Sequence, residues 1–545
     1  MSESGAGRRP LVLAVDGEPG ALERITDELQ RYARDYTVVC GVSSESALAQ
    51  LEALRAEGAS VALVLAAEPL AGLRGSELLA RVHVLHPHAK RALLIPWGGW
   101  GDEATAEAIR RAMALGHIDY YVLRPVRTAD ELFHRTVSEF LHEWSRLNAP
   151  GRREIALVAD PWSPRGYELR NLLARNGVPH SFHASDTSEG RHALEDAGVA
   201  DADVPVVLLP GGGVLVDPSN AALARGYGVT TELASGRVFD VAIVGAGPAG
   251  LSAAVYASSE GLETLVVERE AIGGQAGSSS RIRNYLGFAR GITGAELAQR
   301  AYQQAWVFGA TFVLMREVTG LRSSDGAHLL TLSGETEAKA RAVVLAGGVA
   351  YRRLGIPALD ELTGSGVFYG ASPTDGQQFA GGRVYVVGAG NSAGQAAVHL
   401  SRYALRVTVV VRGKALAASM SGYLETEVAS CSNVEVLRET RVVGGGGDGR
   451  LEQLELEDAT GAVTTAPADA LFVLIGAEPR TGWLPSGVAR DERGFVVTGP
   501  DFGTSVPGVF AIGDLRATSV KRVASAVGEG SVAIQHVHRY LDEPA

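Results

Sequence analysis

Three glycines have the spacing of a turn that binds the phosphates of a dinucleotide. Gly245, Gly247 and Gly250 follow the apolar run DVAIV and open a helix-like stretch, and Glu268 ends the next apolar run, TLVVE. One glycine permits the tight turn, one lets backbone N–H groups approach a pyrophosphate, and one lets the helix pack closely on the strand. The acid at the end of the second strand accepts hydrogen bonds from ribose hydroxyls. This order of strand, turn, helix, strand and acid predicts a dinucleotide-binding site.

A second copy of this pattern begins at RVYVVGAGNSAG. Gly388 and Gly390 repeat the turn, and Ala393 stands in place of the third glycine. The run RVTVVVRG then places Arg412 near the end of the second strand, where an acid would repel a 2′-phosphate. This favours NADPH over NADH, and the alternative is that Arg412 is only a solvated surface residue.

A third element lies near the end of the chain. The run VFAIG delivers Asp514 at the carboxyl end of a strand, and a helix-like stretch follows. Gly513 and Asp514 are the usual late partner of an earlier FAD motif, so the FAD elements flank the second glycine motif. The simplest architecture is an FAD-binding domain in two parts, residues 237–355 and 481–545, with an NAD(P)H-binding domain, residues 356–480, between them.

Residues 1–148 alternate strand-like and helix-like runs, which predicts a doubly wound parallel sheet. The order resembles a response-regulator receiver domain, with Asp16 after the first strand. Ala67 stands at the phosphoacceptor position of that family, and Arg124-Pro125 replaces its Lys-Pro. Because a methyl group cannot accept a phosphoryl group, we predict a pseudo-receiver that serves docking or dimerisation.

Residues 149–232 predict a further small α/β domain. Its order of strands and helices resembles the glutaredoxin or thioredoxin fold, in which a C-x-x-C opens the first helix opposite a cis-proline. Here residues 162–165 (WSPR) occupy the C-x-x-C position, and Val204-Pro205 fits the cis-proline loop. We therefore expect the fold without its thiols.

Composition excludes several classes of protein. The chain of 545 residues carries a net charge of −12, which argues against a nucleic-acid binder. The only cysteines, Cys40 and Cys431, lie outside any C-x-x-C, so a disulfide framework, a metal site and a dithiol relay are poorly supported. With no apolar leader and no run long enough for a membrane span, we expect a cytoplasmic protein with no membrane contact.

The motifs VGAGPAG, GGQAG, NYLGF, VGAGNSAG and GD…AVGEG make residues 237–545 resemble the thioredoxin reductase family along their whole length. The whole chain is then α/β: a flavodoxin-like receiver domain, a thioredoxin-like domain and two Rossmann-like three-layer dinucleotide-binding domains. The resemblance implies FAD and NADPH as cofactors and a homodimer. The candidate FAD-binding residues are Gly245, Gly247, Pro248, Ala249, Gly250, Glu268, Gly274, Gln275, Asn284, Gly513, Asp514, Arg522 and Val523. The candidate NADPH-binding residues are Gly388, Gly390, Asn391, Ser392, Ala393 and Arg412.

The chain departs from that family at its redox-active motif, C-x-x-C-D. Counting back from Gly388 without a gap places Ala371 and Thr374 at the two cysteine positions, followed by Asp375. Asp375 is either the retained catalytic proton donor or a residue that caps a turn. Because dithiol exchange needs a sulfur nucleophile, we predict transfer from NADPH through FAD directly to an external acceptor, a protein or a small molecule. Thioredoxin-reductase-like ferredoxin–NADP reductases share this departure.

A different class of function is also compatible with the absence of a phosphoacceptor and of redox-active thiols. Ala67 and the missing thiols leave both N-terminal domains without catalytic groups, so the protein is alternatively a flavin-loaded redox sensor or scaffold that signals through them. Rapid turnover with an added acceptor favours the enzyme. A partner whose affinity follows the redox state of the flavin favours the sensor.

Substitutions at the former cysteine positions test where electrons leave the flavin. We expect Ala371→Trp and Thr374→Trp to slow flavin reoxidation by the physiological acceptor several-fold, because a bulky ring obstructs approach to the isoalloxazine. FAD content, measured in the same samples, should be unchanged. Variants that turn over at the wild-type rate would mean that electrons leave by another face.

Overall fold

In the computed structural model the chain forms two units, residues 1–152 and 153–545. The structure describes residues 9–542 apart from residues 69, 71, 128, 149–154, 201, 234–235, 280, 325, 335, 371–377 and 417–419. In this described part of the chain, no helix is long and apolar enough to cross a membrane.

The first unit contains the predicted parallel sheet, with strands in the flavodoxin-like order β2-β1-β3-β4-β5. Buried aliphatic runs form its central strands, since a parallel sheet is covered on both faces. The strands are β1 Leu11–Val15, β2 Thr37–Gly41, β3 Val61–Ala67, β4 Lys90–Ile95 and β5 Tyr120–Leu123. The helices are α1 Pro19–Leu29, α2 Ser44–Ala56, α3 Gly75–Leu85, α4 Glu103–Ala114 and α5 Glu131–Asn148.

Polar residues at the carboxyl edge of this sheet are tied together. Asp16 directly follows β1 and is fully buried. The Arg124 Nε lies 2.8 Å from one carboxylate oxygen of Asp16, and its Nη1 lies 2.9 Å from Glu18. Ala67 is the last residue of β3. The carboxylate after β1 is therefore neutralised by an arginine of the same unit.

The second unit begins with a small α/β segment, residues 155–226, whose sheet has the order β7-β6-β8-β9. The first two strands are parallel, and β8 is antiparallel to both of its neighbours. The Val204–Pro205 peptide bond is cis, as the sequence pattern predicts. The elements are β6 Ile155–Ala159, α6 Pro164–Arg175, β7 His180–Ala184, α7 Ser188–Asp196, β8 Val206–Leu208, β9 Val214–Val216 and α8 Asn220–Gly226.

A seven-stranded sheet follows, and the end of the chain returns to it. Its order is β12-β11-β10-β15-β14-β13, and β26 pairs in parallel with β15. The strands are β10 Val238–Val244, β11 Thr264–Glu268, β12 Thr311–Leu314, β13 Val318–Ser324, β14 Ala327–Leu332, β15 Thr336–Leu345 and β26 Val509–Ala511. Helices α9 Pro248–Ser259, α10 Gly294–Val307 and the last helix of the chain, Val523–Asp542, belong to the same part.

A parallel five-stranded sheet, β17-β24-β18-β19-β20, lies in the intervening sequence. Its strands are β17 Val367–Tyr369, β18 Arg383–Val387, β19 Arg406–Val410, β20 Val434–Leu437 and β24 Ala470–Val473. Three antiparallel strands, β21 Arg441–Gly446, β22 Gln453–Glu457 and β23 Val463–Pro467, form a separate sheet, and β16 Val349–Tyr351 pairs with β25 Ala477–Pro479. The helices here are α11 Pro357–Asp360, α12 Asn391–Leu400 and α13 Gly422–Ser430, so the final helix, Val523–Asp542, is α14.

Helices α9 and α14 approach so closely that one position tolerates only glycine. A Cβ on Gly530 would lie 2.4 Å from the backbone oxygen of Ala249 and 2.9 Å from the backbone nitrogen of Ala253. The hydroxyl of Ser252 donates to the carbonyl oxygen of Val527 at 2.7 Å across the same contact. Small residues thus allow backbone-to-backbone packing of the two helices.

Two glycines of α14 provide a matched test of this packing. We expect Gly530→Ala to lower the free energy of unfolding by about 1–3 kcal/mol because its methyl group overlaps backbone atoms. Gly528→Ala should raise it by about 0.5–1 kcal/mol, because that Cβ meets no atom within 4 Å and alanine favours the helix. Denaturant unfolding of both variants measures the difference, and equal effects would contradict the close contact.

Candidate functional site

The first glycine motif forms the turn from β10 into α9. Gly245 has a φ of 107°, and a Cβ there would lie 2.5 Å from the backbone oxygen of Ala346. A Cβ on Gly250 would lie 1.9 Å from the backbone oxygen of Gly245. A Cβ on Gly247 would meet no atom within 4 Å. Two glycines are therefore required by the fold itself, and the third leaves open space at the N-terminus of a helix, where anions bind.

This open space belongs to a cavity of about 360 Å³. Residues from several separate stretches of the sequence line it, including the glycine turn, the segment after β11 and the segment after β26. Of the sequence-predicted residues, the cavity brings together Gly245, Gly247, Pro248, Ala249, Glu268, Gly274, Gln275, Ser392, Gly513, Asp514, Arg522 and Val523. A glycine turn, a carboxylate and a late Asp in one cavity are a donor set that fits a dinucleotide such as FAD.

Glu268 ends β11 and organises the turn. One carboxylate oxygen accepts a hydrogen bond from the backbone N–H of Ala246 at 2.7 Å. The other accepts from the backbone N–H groups of Glu270 at 2.9 Å and Ala271 at 3.3 Å. Since a carboxylate has about four acceptor positions, one remains for a hydroxyl group in the cavity.

Asp514 lines the same cavity. Burial raises the pKa of the Asp514 carboxyl, Lys521 partly offsets this effect, and the Glu529 carboxylate adds to it. Glu529 accepts a hydrogen bond from the backbone N–H of Gly513 and pairs with Arg516, both at 2.7 Å. Sequence reasoning missed Glu529. The sequence feature that could have identified it is an acid between two glycines, Gly528 and Gly530, near the end of the chain.

The second glycine motif forms the corresponding turn from β18 into α12. Gly388 has a φ of 148°, and a Cβ there would lie 2.4 Å from the backbone oxygen of Leu474. Gly390 precedes the first residue of α12, and Ala393 is fully buried in that helix. Alanine therefore fits where the first motif has a glycine.

Other residues of the second motif differ in their surroundings. Ser392 lines the cavity of the first motif, so the start of α12 borders that cavity. The Asn391 side-chain oxygen accepts a hydrogen bond from the backbone N–H of Ser421 at 2.7 Å. Arg412 follows β19 and is exposed.

Some sequence-predicted residues lie elsewhere. Asn284 is exposed and is not among the residues that line the cavity. Asp375, with Ala371 and Thr374, lies outside the described residues. Among the residues that are described, no group of three or more His, Cys, Asp or Glu side chains could hold a metal ion.

The residues that flank positions 371–377 pack against the small α/β segment. The Gln378 side chain donates to the carbonyl oxygen of Pro161 at 2.7 Å, and its amide oxygen accepts from Arg170. The Trp162 and Phe379 rings lie 6.2 Å apart, measured between centroids. The start of α6, which holds the WSPR sequence, is therefore in contact with the chain directly after residue 377.

The same contact extends to the five-stranded sheet of the second unit. The Tyr167 ring lies 4.7 Å from that of Phe368, and the Ser365 hydroxyl donates to the carbonyl oxygen of Trp162 at 2.7 Å. At its other end, α6 contributes Arg175 to the lining of the cavity. Sequence reasoning missed Arg175, because no local pattern connects α6 with the glycine turn.

Comparisons with known proteins agree with this geometry. Residues 239–530 match the family described as pyridine nucleotide-disulphide oxidoreductase. The thioredoxin reductase of Bacillus subtilis (strain 168) is 36% identical over 312 residues, which are 56% of this chain and 96% of that protein.

Two solved structures resemble the same part. The thioredoxin reductase of Lactococcus lactis in its FR conformation gives a TM-score of 0.53 at 27% identity. That of T. acidophilum gives a TM-score of 0.52 at 32% identity. Each match covers 56% of this chain and 99% of the other. FAD and NADPH are the cofactors of thioredoxin reductases.

Gly247 offers a test of the cavity that does not disturb the fold. We expect Gly247→Ala to fold as stably as the wild type, since its added methyl group meets no protein atom. The methyl group should nevertheless weaken FAD binding by about tenfold or more, because it occupies the space that the pyrophosphate needs. Gly250→Ala is the contrasting control and should destabilise the apo-protein. FAD titration and thermal unfolding measure both effects, and unchanged FAD affinity in Gly247→Ala would contradict the assignment.

Proposed function

We propose that this chain, which belongs to the pyridine nucleotide-disulphide oxidoreductase family, passes electrons from NADPH through FAD to an external acceptor without an internal dithiol. Its residues 239–530 are a flavin oxidoreductase of the thioredoxin reductase type. The observation that carries this proposal is the cysteine inventory. Of all 545 residues only Cys40 and Cys431 are cysteines, and alanine and threonine occupy the two cysteine positions of the family motif.

Neither cysteine has the surroundings of a redox relay. Cys40 belongs to β2 of the first unit, and burial raises the pKa of its thiol, which disfavours the reactive thiolate. Cys431 follows α13, and its Sγ donates to the carbonyl oxygen of Glu427 at 3.3 Å. Both are free thiols. Electrons that leave the flavin would therefore go directly to the acceptor.

The chain's own residues would bind and orient the cofactors. The N–H groups at the start of α9 would face the FAD pyrophosphate at Gly247, and Glu268 would accept from a hydroxyl group. Bound FAD would supply the electron-transfer chemistry between NADPH and the acceptor. Lys521 lines the cavity and donates to the backbone oxygen of Asp514 at 2.9 Å. Together with Arg522 it would lower the energy of negative charge added at the flavin.

Packing beside positions 371–377 bears on the acceptor. Trp162, Tyr167 and Arg170 of the small α/β segment cover Phe379, Phe368 and Gln378. Without this cover, a protein that docks near positions 371 and 374 could reach that surface. We therefore favour a small-molecule acceptor over a thioredoxin.

In this proposal the first unit and the small α/β segment have no catalytic groups of their own. The strand order of the first unit, Ala67 at the end of β3 and the Asp16–Arg124 ion pair support a pseudo-receiver. The strand order of the small α/β segment and its cis-proline support a thioredoxin-like domain. Exposed Trp306 and Val307 at the end of α10 support a homodimer built on this part of the surface. The cytoplasmic location stays a prediction from the sequence.

A cysteine-free variant tests the proposed route directly. We expect NADPH to bleach the visible flavin absorbance of the full-length protein under anaerobic conditions. The Cys40→Ser/Cys431→Ser variant should be reduced and reoxidised at the wild-type rate, because no thiol takes part. Stopped-flow absorbance measures both half-reactions. Loss of reoxidation in the double variant would contradict a dithiol-independent route, and a flavin that NADPH does not reduce would contradict the electron source.

A further inference from the structure

Arg175 reaches the dinucleotide cavity from outside the part of the chain that matches the family. It is the last residue of α6, whereas the family match begins at residue 239. Its Nη2 donates to the backbone oxygen of Gly274 at 3.3 Å. A Cβ on Gly274 would lie 3.2 Å from the Cα of Gly247. The guanidinium of Arg175 is therefore a neighbour of the turn that fits a pyrophosphate.

The pairing of this guanidinium is incomplete. Its Nη1 lies 2.9 Å from a carboxylate oxygen of Glu270, but its buried Nε has no hydrogen-bond partner among the residues that the structure describes. Arg480 repeats the arrangement: its Nη2 lies 3.8 Å from Glu270, and its buried Nε likewise has no partner in the described part of the chain. Both arginines line the cavity. The Glu270 carboxylate is thus shared by these two arginines and by Arg269, whose Nη2 lies 4.0 Å away, so positive charge remains in excess around it.

The protonation of Glu270 agrees with this excess. Burial opposes ionisation of Glu270, but Arg175, Arg480 and Arg269 outweigh it and lower the pKa of the carboxyl. Burial also lowers the pKa of Arg480. Since a buried cation without enough partners is costly, an anionic ligand in the cavity would stabilise both arginines.

The chain fixes Arg175 from both ends of α6. Next to it, the Asn176 side-chain oxygen accepts a hydrogen bond from the backbone N–H of Ile272 at 3.1 Å. At the other end, Tyr167 packs on Phe368. Arg175 is therefore held beside the loop after β11 and is not a freely moving surface side chain; its side chain is 14% exposed.

We propose that Arg175 is a phosphate-binding residue of the FAD site, supplied by the small α/β segment. This rests on the proposed function in so far as the cavity holds FAD. Guanidinium groups pair strongly with phosphate oxygens through two N–H donors. The thioredoxin-like segment thereby has a binding role in the oxidoreductase that its missing cysteines do not affect.

Titration of the full-length apo-protein with FAD, and separately with ADP as a pyrophosphate probe, tests this role. Arg175→Gln should weaken the binding of both by about tenfold or more, because it removes a charge-assisted contact. The matched control is Arg191→Gln in α7, whose parent side chain donates to the backbone oxygen of Asp186 and lies outside the cavity lining. It should bind FAD and ADP as the wild type does.

A second variant separates phosphate binding from a merely structural ion pair. Glu270→Gln frees the positive charge of Arg175 and Arg480, so it should tighten FAD and ADP binding or leave it unchanged. If the ion pair only fastens α6 to the loop after β11, Glu270→Gln and Arg175→Gln should weaken binding equally. That result, or unchanged affinity in Arg175→Gln, would overturn the assignment. Thermal unfolding of the apo-proteins shows whether either variant loses its fold.

The result of the FAD and ADP titrations does not depend on electron transfer. No NADPH is used in the titrations, so a wild-type protein that binds FAD but is not reduced by NADPH contradicts the proposed function alone. In that case weakened binding by Arg175→Gln still supports a phosphate-binding residue. Failure of the two proposals is therefore distinguishable.

Discussion

Backbone contact without intervening side chains is the constraint on which this structure depends. Gly245 and Gly250 bring the start of α9 against the end of β15, and Gly530 brings α14 against the backbone of α9 at Ala249. A Cβ at any of these three positions would overlap a backbone oxygen. The contact of Gly530 with Ala249 joins parts of the chain 281 residues apart. Because α14 follows directly from the segment around Asp514, its packing on α9 places that acid in the same cavity as the glycine turn.

The structure also depends on electrostatic interactions of the acidic side chains in and beside the cavity. Glu268 is neutralised by backbone N–H groups, Glu529 by Arg516 and the N–H of Gly513, and Glu270 by arginines. Each acid therefore fixes a loop as well as contributing charge. The open end of the α9 helix and the incompletely paired arginines give the cavity a positive character, which suits a pyrophosphate.

The small α/β segment contacts two different parts of the second unit through a single helix. Its helix α6 touches the chain beside residues 371–377 at one end and the dinucleotide cavity at the other. Aromatic packing by Trp162 and Tyr167 stabilises the first contact. At the second, Arg175 donates a hydrogen bond to Gly274 and Asn176 accepts one from Ile272. Neither contact needs a thiol. The aromatic rings of α6 serve packing, and the polar groups at its C-terminal end form hydrogen bonds beside the cavity.

The sequence by itself determined the features whose physical cause is local. Six residues from Gly245 to Gly250 are enough to require the turn, because the overlap that excludes a Cβ arises within the motif or against the neighbouring strand. The alternation of apolar and amphipathic runs predicted the parallel sheet of the first unit. The cis bond at Val204-Pro205 was expected from the resemblance of residues 149–232 to the thioredoxin fold. The tertiary structure alone decided which distant residues meet. It placed Arg175 at the cavity, set Glu529 against the backbone N–H of Gly513 and left Asn284 exposed, since such positions follow from how whole helices pack and not from any neighbouring residue.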